Sequence, residues 1–249
     1  MDILNYGGGR QTVAMCILIV DGLLERPDRV VIADTGRENP STWEYLDQFV
    51  QPLLAQVGLT VEVAPRALAT VDLYGHNGDL LVPVYTEKGK LSAYCSTEWK
   101  SRVLQRYLAA DCPPRDRVHW IGFAYDERRR VKASRDVLRY PLIERVLAKA
   151  DCRAIIERAG LPLPAPSSCV MCPHKSNTQW RSIRDDYPEA WRQACAIDAE
   201  LREQDIFAGN SGVWLHASRV PLAEADIDDD DRRDGAVNGR QCALGMCFV

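Results

Sequence analysis

The chain has 249 residues, which is enough for one large domain or for one domain with an appendage. Its formal net charge of −4 argues against broad electrostatic binding of nucleic acid, although arginines cluster locally at residues 128–130. The longest apolar run, residues 13–20, is too short to span a membrane, and the first residues do not have the pattern expected of a signal peptide. These features predict a cytoplasmic protein with no membrane partner.

The first motif is a short strand that runs into three glycines and then into a helix. Residues 2–5 predict the strand, residues 7–9 are the glycines, and the apolar residues 13–19 predict the helix. Glycines let the backbone approach a ligand closely, and the start of a helix attracts anions. Arg10 adds a cation and Thr12 adds a hydroxyl. The segment therefore predicts a phosphate-binding loop, with a glycine-rich turn that binds nothing as the alternative.

This loop differs from two better-known phosphate-binding loops. It lacks the Gly-Lys-Ser/Thr ending of a Walker loop, and Thr12 stands where a dinucleotide fingerprint needs a glycine. Residues 7–12 are instead similar to the PP-loop of the ATP pyrophosphatases, S-G-G-[KR]-D-S. In that comparison Gly7 replaces serine, Arg10 takes the basic position and Gln11 replaces aspartate.

The first half of the chain alternates between strands and helices. Strands are predicted at residues 2–5, 29–33, 60–63 and 118–123, and helices at about 10–24, 41–57 and 96–110, the second of these capped by Ser41 or Thr42. This alternation predicts an α/β fold with a doubly wound, mostly parallel, five-stranded sheet. Ligands bind such sheets beyond the carboxyl ends of the strands, where three charged or glycine-rich segments would converge. Those segments are residues 7–12, 34–36 and 123–130.

The second half of the chain has a different character. A proline-rich connector at residues 162–166 precedes the cysteine motif, and helical patterns resume at about residues 177–184 and 189–204. We therefore predict a nucleotide-binding α/β domain over residues 1–140. A C-terminal helical region over residues 141–249 would carry cysteines and pack on the first domain.

Nine cysteines in a cytoplasmic chain indicate metal or redox chemistry rather than stable disulfides. Cys169 and Cys172 have the C-x-x-C spacing that lets two thiolates hold one metal ion or cluster. Cys95 lies just before a predicted helix start, which favours a thiolate, and Cys242 and Cys247 lie in the tail. Four thiolates from distant segments suit either zinc or a [4Fe–4S] cluster. A redox dithiol and separately buried cysteines are the alternatives.

Taken together, these motifs resemble the phosphoadenosine phosphosulfate reductase-like branch of the PP-loop ATP pyrophosphatase superfamily. The similarity is to the short form found in phages and mobile elements, and it spans nearly the whole chain. The motifs that carry it are residues 7–12 (GGGRQT), 33–36 (ADTG) with Glu38, Pro40 and Thr42, 95–102 (CSTEWKSR), 122–130, 140–142 (YPL), 169–173 (CVMCP) with Ser176, Trp180 and Arg181, and 245–247 (GMC).

The resemblance implies an adenine nucleotide alpha hydrolase-like fold that binds ATP or a related adenylate with Mg²⁺. Such enzymes usually adenylate a substrate oxygen, after which a sulfur source displaces AMP. We therefore expect a sulfur-transfer enzyme acting on a nucleic acid or nucleotide, helped by a [4Fe–4S] cluster or, as the alternative, zinc. A sulfur-donor or reductant protein would be a partner, and a homodimer is one assembly compatible with this expectation.

Two other functions compete with sulfur transfer. The first is a sulfonucleotide reductase that depends on thioredoxin, and the second is a zinc-stabilised nucleotide-binding protein without catalysis. The reductases end in E-C-G-[LI]-H, whereas residues 241–245 here read QCALG, without the glutamate and the histidine. This departure argues against the reductase.

We assign candidate roles residue by residue. The nucleotide would be bound by Gly7, Gly8, Gly9, Arg10, Gln11, Thr12, Asp34, Thr35, Gly36 and Gly122. Charge on the substrate or leaving group would be neutralised by Arg10, Lys100, Arg102 and Arg130. The resemblance gives the cluster ligands as Cys95, Cys169, Cys172 and Cys247.

Overall fold

The computed structural model describes residues 1–91, 94–131, 133–134, 136–203 and 212–229. These residues form two compact units. The first contains Met1–Thr70 and Ser96–Ser167, and the second contains Val71–Cys95 with the described residues from Ser168 onward. The tail motif with Cys242 and Cys247 lies outside the described residues.

The described strands are β1 (Asp2–Asn5), β2 (Arg29–Ala33), β3 (Val61–Ala64), β4 (Tyr85–Thr86), β5 (Gly89–Lys90), β6 (Val118–Trp120) and β7 (Val137–Arg139). Five of them form the parallel sheet of the first unit, in the order β3-β2-β1-β6-β7, and β4 and β5 belong to the second unit. Leu4 of β1 is paired with Val30 on one side and with Trp120 on the other. The predicted α/β fold with a five-stranded parallel sheet is confirmed.

The helices flank this sheet or belong to the second unit. They are α1 (Arg10–Val20), α2 (Pro40–Tyr45), α3 (Gln51–Ala55), α4 (Arg102–Tyr107), α5 (Pro141–Glu144), α6 (Lys149–Arg158), α7 (Asn177–Asp186) and α8 (Pro188–Glu203). Turns of π-helix, Leu46–Val50 and Thr97–Ser101, lead directly into α3 and α4. Short 3-10 turns occur at Arg66–Leu68, Leu108–Ala110, Pro114–Asp116, Tyr125–Arg130 and Leu222–Glu224.

Both faces of the five-stranded sheet are covered. Successive side chains of a strand point to opposite faces, so Leu4 packs with α1 and Ile155 of α6, while Ile3 packs with Val103 of α4. All four side chains are almost completely buried. A parallel sheet with helices on both faces leaves only its edges and strand ends open to ligands.

The ends of two helices show how local chemistry sets the boundaries. The predicted cap of α2, Ser41 or Thr42, is wrong, because Asn39 accepts a 3.2 Å hydrogen bond from the Ser41 N–H. Pro40 then takes the first helical position, where its missing N–H costs nothing. Helix α1 ends at Val20, about four residues before its predicted end, and is followed by Gly22, whose φ of 68° is left-handed.

The second unit contains a hairpin and two long helices. β4 and β5 pair antiparallel within a segment that the sequence predicts to be irregular. The buried carboxylate of Asp198 on α8 accepts hydrogen bonds from the N–H groups of Leu215 (2.9 Å) and Leu222 (3.0 Å), which anchors the chain after α8. Across the described ranges of both units, no helix has the length and apolar character needed to cross a bilayer.

Candidate functional site

The strand order creates a switch point in the first unit. β2 lies on one side of β1 and β6 lies on the other, so the chain leaves the carboxyl ends of β1 and β6 in opposite directions. A crevice forms between the two departing loops at such a point, and α/β proteins bind ligands there. The segments that begin at Gly7 and Gly122 border this position.

Gly8 lies in the tightest part of the loop after β1. Its φ is +70°, and a Cβ there would overlap Thr42 Cγ2 and lie 3.4 Å from Ser167 Oγ. The Ser167 hydroxyl also donates a hydrogen bond to the Gly7 carbonyl. The loop is therefore held between the start of α2 and the end of the first unit, and only glycine fits without a shift.

The start of α1 presents backbone N–H groups at the same place. Gly9 is the N-cap, with extended φ and ψ of −98° and 172°, and it carries no side chain to accept a hydrogen bond from the first turn. Thr12 is buried and donates to the Gly9 carbonyl at 3.1 Å. No acidic residue lies in the first turn, and Arg10 is exposed. This helix end is electrostatically suited to an anion.

The segment after β6 meets the start of α1. A Cβ on Gly122 would lie 2.8 Å from Thr12 Cγ2, so the backbone after β6 passes close to the first turn of α1. Gln11 Nε2 donates to Glu127 Oε2 at 3.1 Å. Two of the three segments predicted to converge are thus in contact, and the third follows β2.

Glu127 carries several contacts in this region. Its Oε1 lies 2.6 Å from Arg130 Nη1 and 3.1 Å from Lys149 Nζ. Burial favours the neutral acid, but the charges of Lys149 and Arg130 outweigh it, and the pKa of Glu127 is lowered from its ordinary value. The Arg130 guanidinium also lies 4.3 Å from the centre of the Phe123 ring. Arg130 is therefore held by one carboxylate and one aromatic face.

The third segment is a compact turn after β2. Asp34 Oδ1 accepts a 2.7 Å hydrogen bond from the Gly36 N–H, and the buried Thr35 hydroxyl accepts one from the Arg37 N–H at 3.2 Å. Gly36 has a φ of +67°, and a Cβ there would lie 3.3 Å from Arg66 Cγ. The chain then continues into α2, which supplies the contact to Gly8.

The two predicted cations near the start of α4 are both paired. Lys100 Nζ lies 2.7 Å from Glu38 Oε1, and the Glu38 side chain is only 2% exposed. Arg102 Nη1 lies 2.7 Å from Glu98, and its side chain is 51% exposed. Lys100 is thus held in a buried ion pair, whereas Arg102 lies at the surface.

The described candidate cluster ligands all belong to the second unit. Cys169 and Cys172 form a turn, in which the Cys172 N–H donates to the Cys169 carbonyl at 3.0 Å, and the Cys95 N–H donates to the Leu81 carbonyl at 3.0 Å. Within the described residues, no three Cys, His, Asp or Glu side chains are grouped to hold one metal ion. Cys247 lies outside the described residues. Three thiols in one unit are suitable donors for zinc or iron, and the site itself stays a prediction.

A lysine on the hairpin of the second unit lies beside the C-x-x-C turn. Lys90 Nζ is 2.7 Å from His174 Nδ1 and 5.0 Å from the centre of the Tyr85 ring. Burial lowers the pKa of Lys90 to about 8, while the thiol of Cys172 acts in the opposite direction. Burial and the charge of Lys90 lower the pKa of His174 to about 4. The C-x-x-C turn therefore has a lysine neighbour that is exposed overall but whose ammonium group lies against His174 and the Tyr85 ring.

Several residues of the site have no role in the sequence-based assignments, although Glu38, Thr42 and Glu127 belong to the motifs that carry the resemblance. Thr42 and Ser167 enclose Gly8, Glu38 pairs with Lys100, and Glu127 links Gln11 to Arg130. The i, i+3 spacing of Glu127 and Arg130 on a helical turn is a signal that sequence reasoning can use. No local pattern marks Ser167, because its partner Gly7 is 160 residues away.

Comparisons with known proteins do not assign a family. No family model matches the chain, and no curated protein matches it at a significant level. The resemblance to the PP-loop proteins therefore remains a prediction from the motifs.

Proposed function

We propose that the first unit binds ATP or a related adenine nucleotide, with the phosphates against Gly8 and the start of α1. The observation that carries this proposal is the left-handed Gly8, which leaves no room for a Cβ beside Thr42. Such a loop brings backbone N–H groups close to a ligand, next to the positive end of an 11-residue helix. Its position at a switch point of a parallel sheet supports the same conclusion.

The residues around this loop suggest distinct roles. The N–H groups of Gly8, Gly9 and the first turn of α1 would bind phosphate oxygens, and the exposed Arg10 would neutralise their charge. The turn from Asp34 to Gly36 would lie near the adenosine. Glu127 already pairs with two cations, so we assign Mg²⁺ to the phosphate oxygens rather than to this carboxylate.

The reaction that we propose is adenylation followed by sulfur transfer. An oxygen of the acceptor attacks the α-phosphorus of ATP, the bond to the β-phosphate oxygen breaks, and pyrophosphate leaves with its electron pair. A sulfur nucleophile then displaces AMP from the adenylated acceptor. The chain's contribution to the first step is positioning and charge neutralisation, mainly by Arg10, with Arg130 held nearby by Glu127.

A [4Fe–4S] cluster held by Cys95, Cys169, Cys172 and Cys247 would supply or hold the sulfur. Zinc at the same thiols is the alternative and would be colourless.

We expect anaerobically purified protein to be brown, and Cys172→Ala to lose both the colour and most of the iron. The control variant Cys112→Ala removes a half-buried thiol that is not one of the four proposed ligands, and it should keep both the colour and the iron. Unchanged iron in Cys172→Ala would contradict the ligand assignment.

The acceptor in this proposal is a nucleic acid or a nucleotide, and a sulfur-donor or reductant protein completes the reaction in the cytoplasm. Pyrophosphate release from Mg·ATP in the presence of candidate acceptors tests the adenylation step.

We expect Arg10→Met to weaken ATP binding about tenfold, because it removes a charge-assisted contact. The control Arg153→Met removes an exposed arginine that is paired with Glu157 on α6, and it should leave ATP binding unchanged. Sulfite release from a sulfonucleotide with thioredoxin would instead identify a reductase.

A further inference from the structure

The carboxylate of Glu127 contacts four polar groups, although it lies on a short 3-10 turn. Oε2 accepts hydrogen bonds from Gln11 Nε2 at 3.1 Å and from the Ala124 N–H at 3.3 Å. Oε1 lies 2.6 Å from Arg130 Nη1 and 3.1 Å from Lys149 Nζ. The side chain is only 10% exposed, so these charge-assisted contacts are weakly screened by solvent.

Two partners of Glu127 belong to segments that follow different strands. Gln11 is the second residue of α1, in the loop region after β1, whereas Arg130 ends the 3-10 turn after β6. The Arg130 guanidinium also lies 4.3 Å from the centre of the Phe123 ring. One carboxylate therefore fixes a residue of each loop that borders the switch point.

We propose that Glu127 is a positioning residue that holds Gln11 and Arg130 beside the phosphate-binding start of α1. This inference rests on the proposed nucleotide site. Glu127 itself carries the wrong charge to bind phosphate, and it acts through the two side chains that it orients. Without Glu127, the side chains of Gln11 and Arg130 would be less ordered, and nucleotide binding would have to order them.

A competing effect of this carboxylate has the opposite sign. Glu127 cancels positive charge from Arg130 and Lys149 near an anion site, so its neutralisation would strengthen nucleotide binding if charge masking were its main effect. If positioning dominates, the same change weakens binding. The replacement Glu127→Gln keeps the size of the side chain, removes the charge and therefore separates the two effects.

The test is the dissociation constant of Mg·ATP, measured by calorimetry on the full chain. We expect Glu127→Gln to weaken binding about tenfold. The matched control is Glu144→Gln, which removes a charge paired with Arg139 at 3.0 Å, and it should change the constant less than twofold. Tighter or unchanged binding by Glu127→Gln would overturn the positioning role. If the unaltered protein binds no ATP, both the proposed function and this inference are wrong.

A second variant separates charge-dependent positioning from simple packing. Glu127→Asp shortens the side chain but keeps its charge, so we expect its affinity to lie between those of the unaltered protein and Glu127→Gln. A packing role would give the reverse order, because glutamine fills the space better than aspartate. If neither variant folds, Gln11→Leu removes only the 3.1 Å hydrogen bond and leaves both ion pairs. Unchanged ATP affinity in Gln11→Leu would contradict the proposal.

Discussion

At the scale of single residues, the candidate site depends on backbone room more than on side chains. Gly8 and Gly122 each lie where a Cβ would collide with a threonine methyl group, Thr42 Cγ2 or Thr12 Cγ2. Both threonines are buried, so neither methyl group can move into solvent. The loops after β1 and β6 are consequently drawn close to helix starts, where N–H groups are available for an anion.

The Gly8 environment makes a sharp stability prediction. Gly8→Ala should destabilise the protein by about 2–4 kcal/mol, because left-handed strain and overpacking against Thr42 add together. Gly22→Ala has nearly the same φ, +68°, but no atom within 4 Å of its Cβ, and should cost only about 1–2 kcal/mol. Denaturant unfolding measures both values. Adding Thr42→Ser, which deletes the colliding methyl group, should recover part of the Gly8→Ala loss, and an equal cost for the two alanine variants would contradict this packing.

At the scale of elements, the strands and helices that carry strong local patterns are predictable from the sequence. Buried apolar runs marked β1 and β2, and amphipathic spacing marked α7 and α8 close to their observed bounds. The fifth strand, β7, has no such pattern, because it is only three residues long and begins with the exposed Val137. Its place in the sheet comes from pairing with β6, which is a tertiary contact.

The same distinction applies to the candidate site. Residues 7–12 could be recognised from the sequence because the strand, the glycines and the helix are adjacent in the chain. The enclosure of the loop by Ser167, and the ion pair of Lys100 with Glu38, join residues far apart in sequence. Such contacts depend on how the sheet and helices pack, so a single sequence gives no spacing from which to infer them.

The start of α7 gives an element-scale prediction for the second unit. Ser176 Oγ accepts a hydrogen bond from the Gln179 N–H at 3.3 Å, and Gln179 Oε1 accepts one from the Ser176 N–H at 2.9 Å, which forms a capping box. Ser176→Ala should lower the free energy of unfolding by about 1 kcal/mol. Ser182→Ala on the same helix removes only an exposed bond to Asp186 and should cost less than about 0.5 kcal/mol. Thermal unfolding compares them, and equal midpoints would contradict the capping role.

At the scale of the whole molecule, the candidate chemistry divides between the two units. The residues assigned to the nucleotide belong to the first unit, and the described cysteine ligands belong to the second. The chain is acidic overall, with a net charge of −4, so an anionic ligand gains nothing from the total charge. Binding of a nucleotide must therefore come from local groups, namely the start of α1 and the cations beside it.

The most direct test of this account compares ATP with adenosine on the full chain by calorimetry. If the phosphates bind against Gly8 and the start of α1, ATP should bind at least about a hundredfold more tightly than adenosine, because several charge-assisted hydrogen bonds are made only to phosphate. Raising the salt concentration should weaken ATP binding and leave adenosine binding unchanged. Equal affinities for the two ligands, or no binding of ATP, would contradict the central claim.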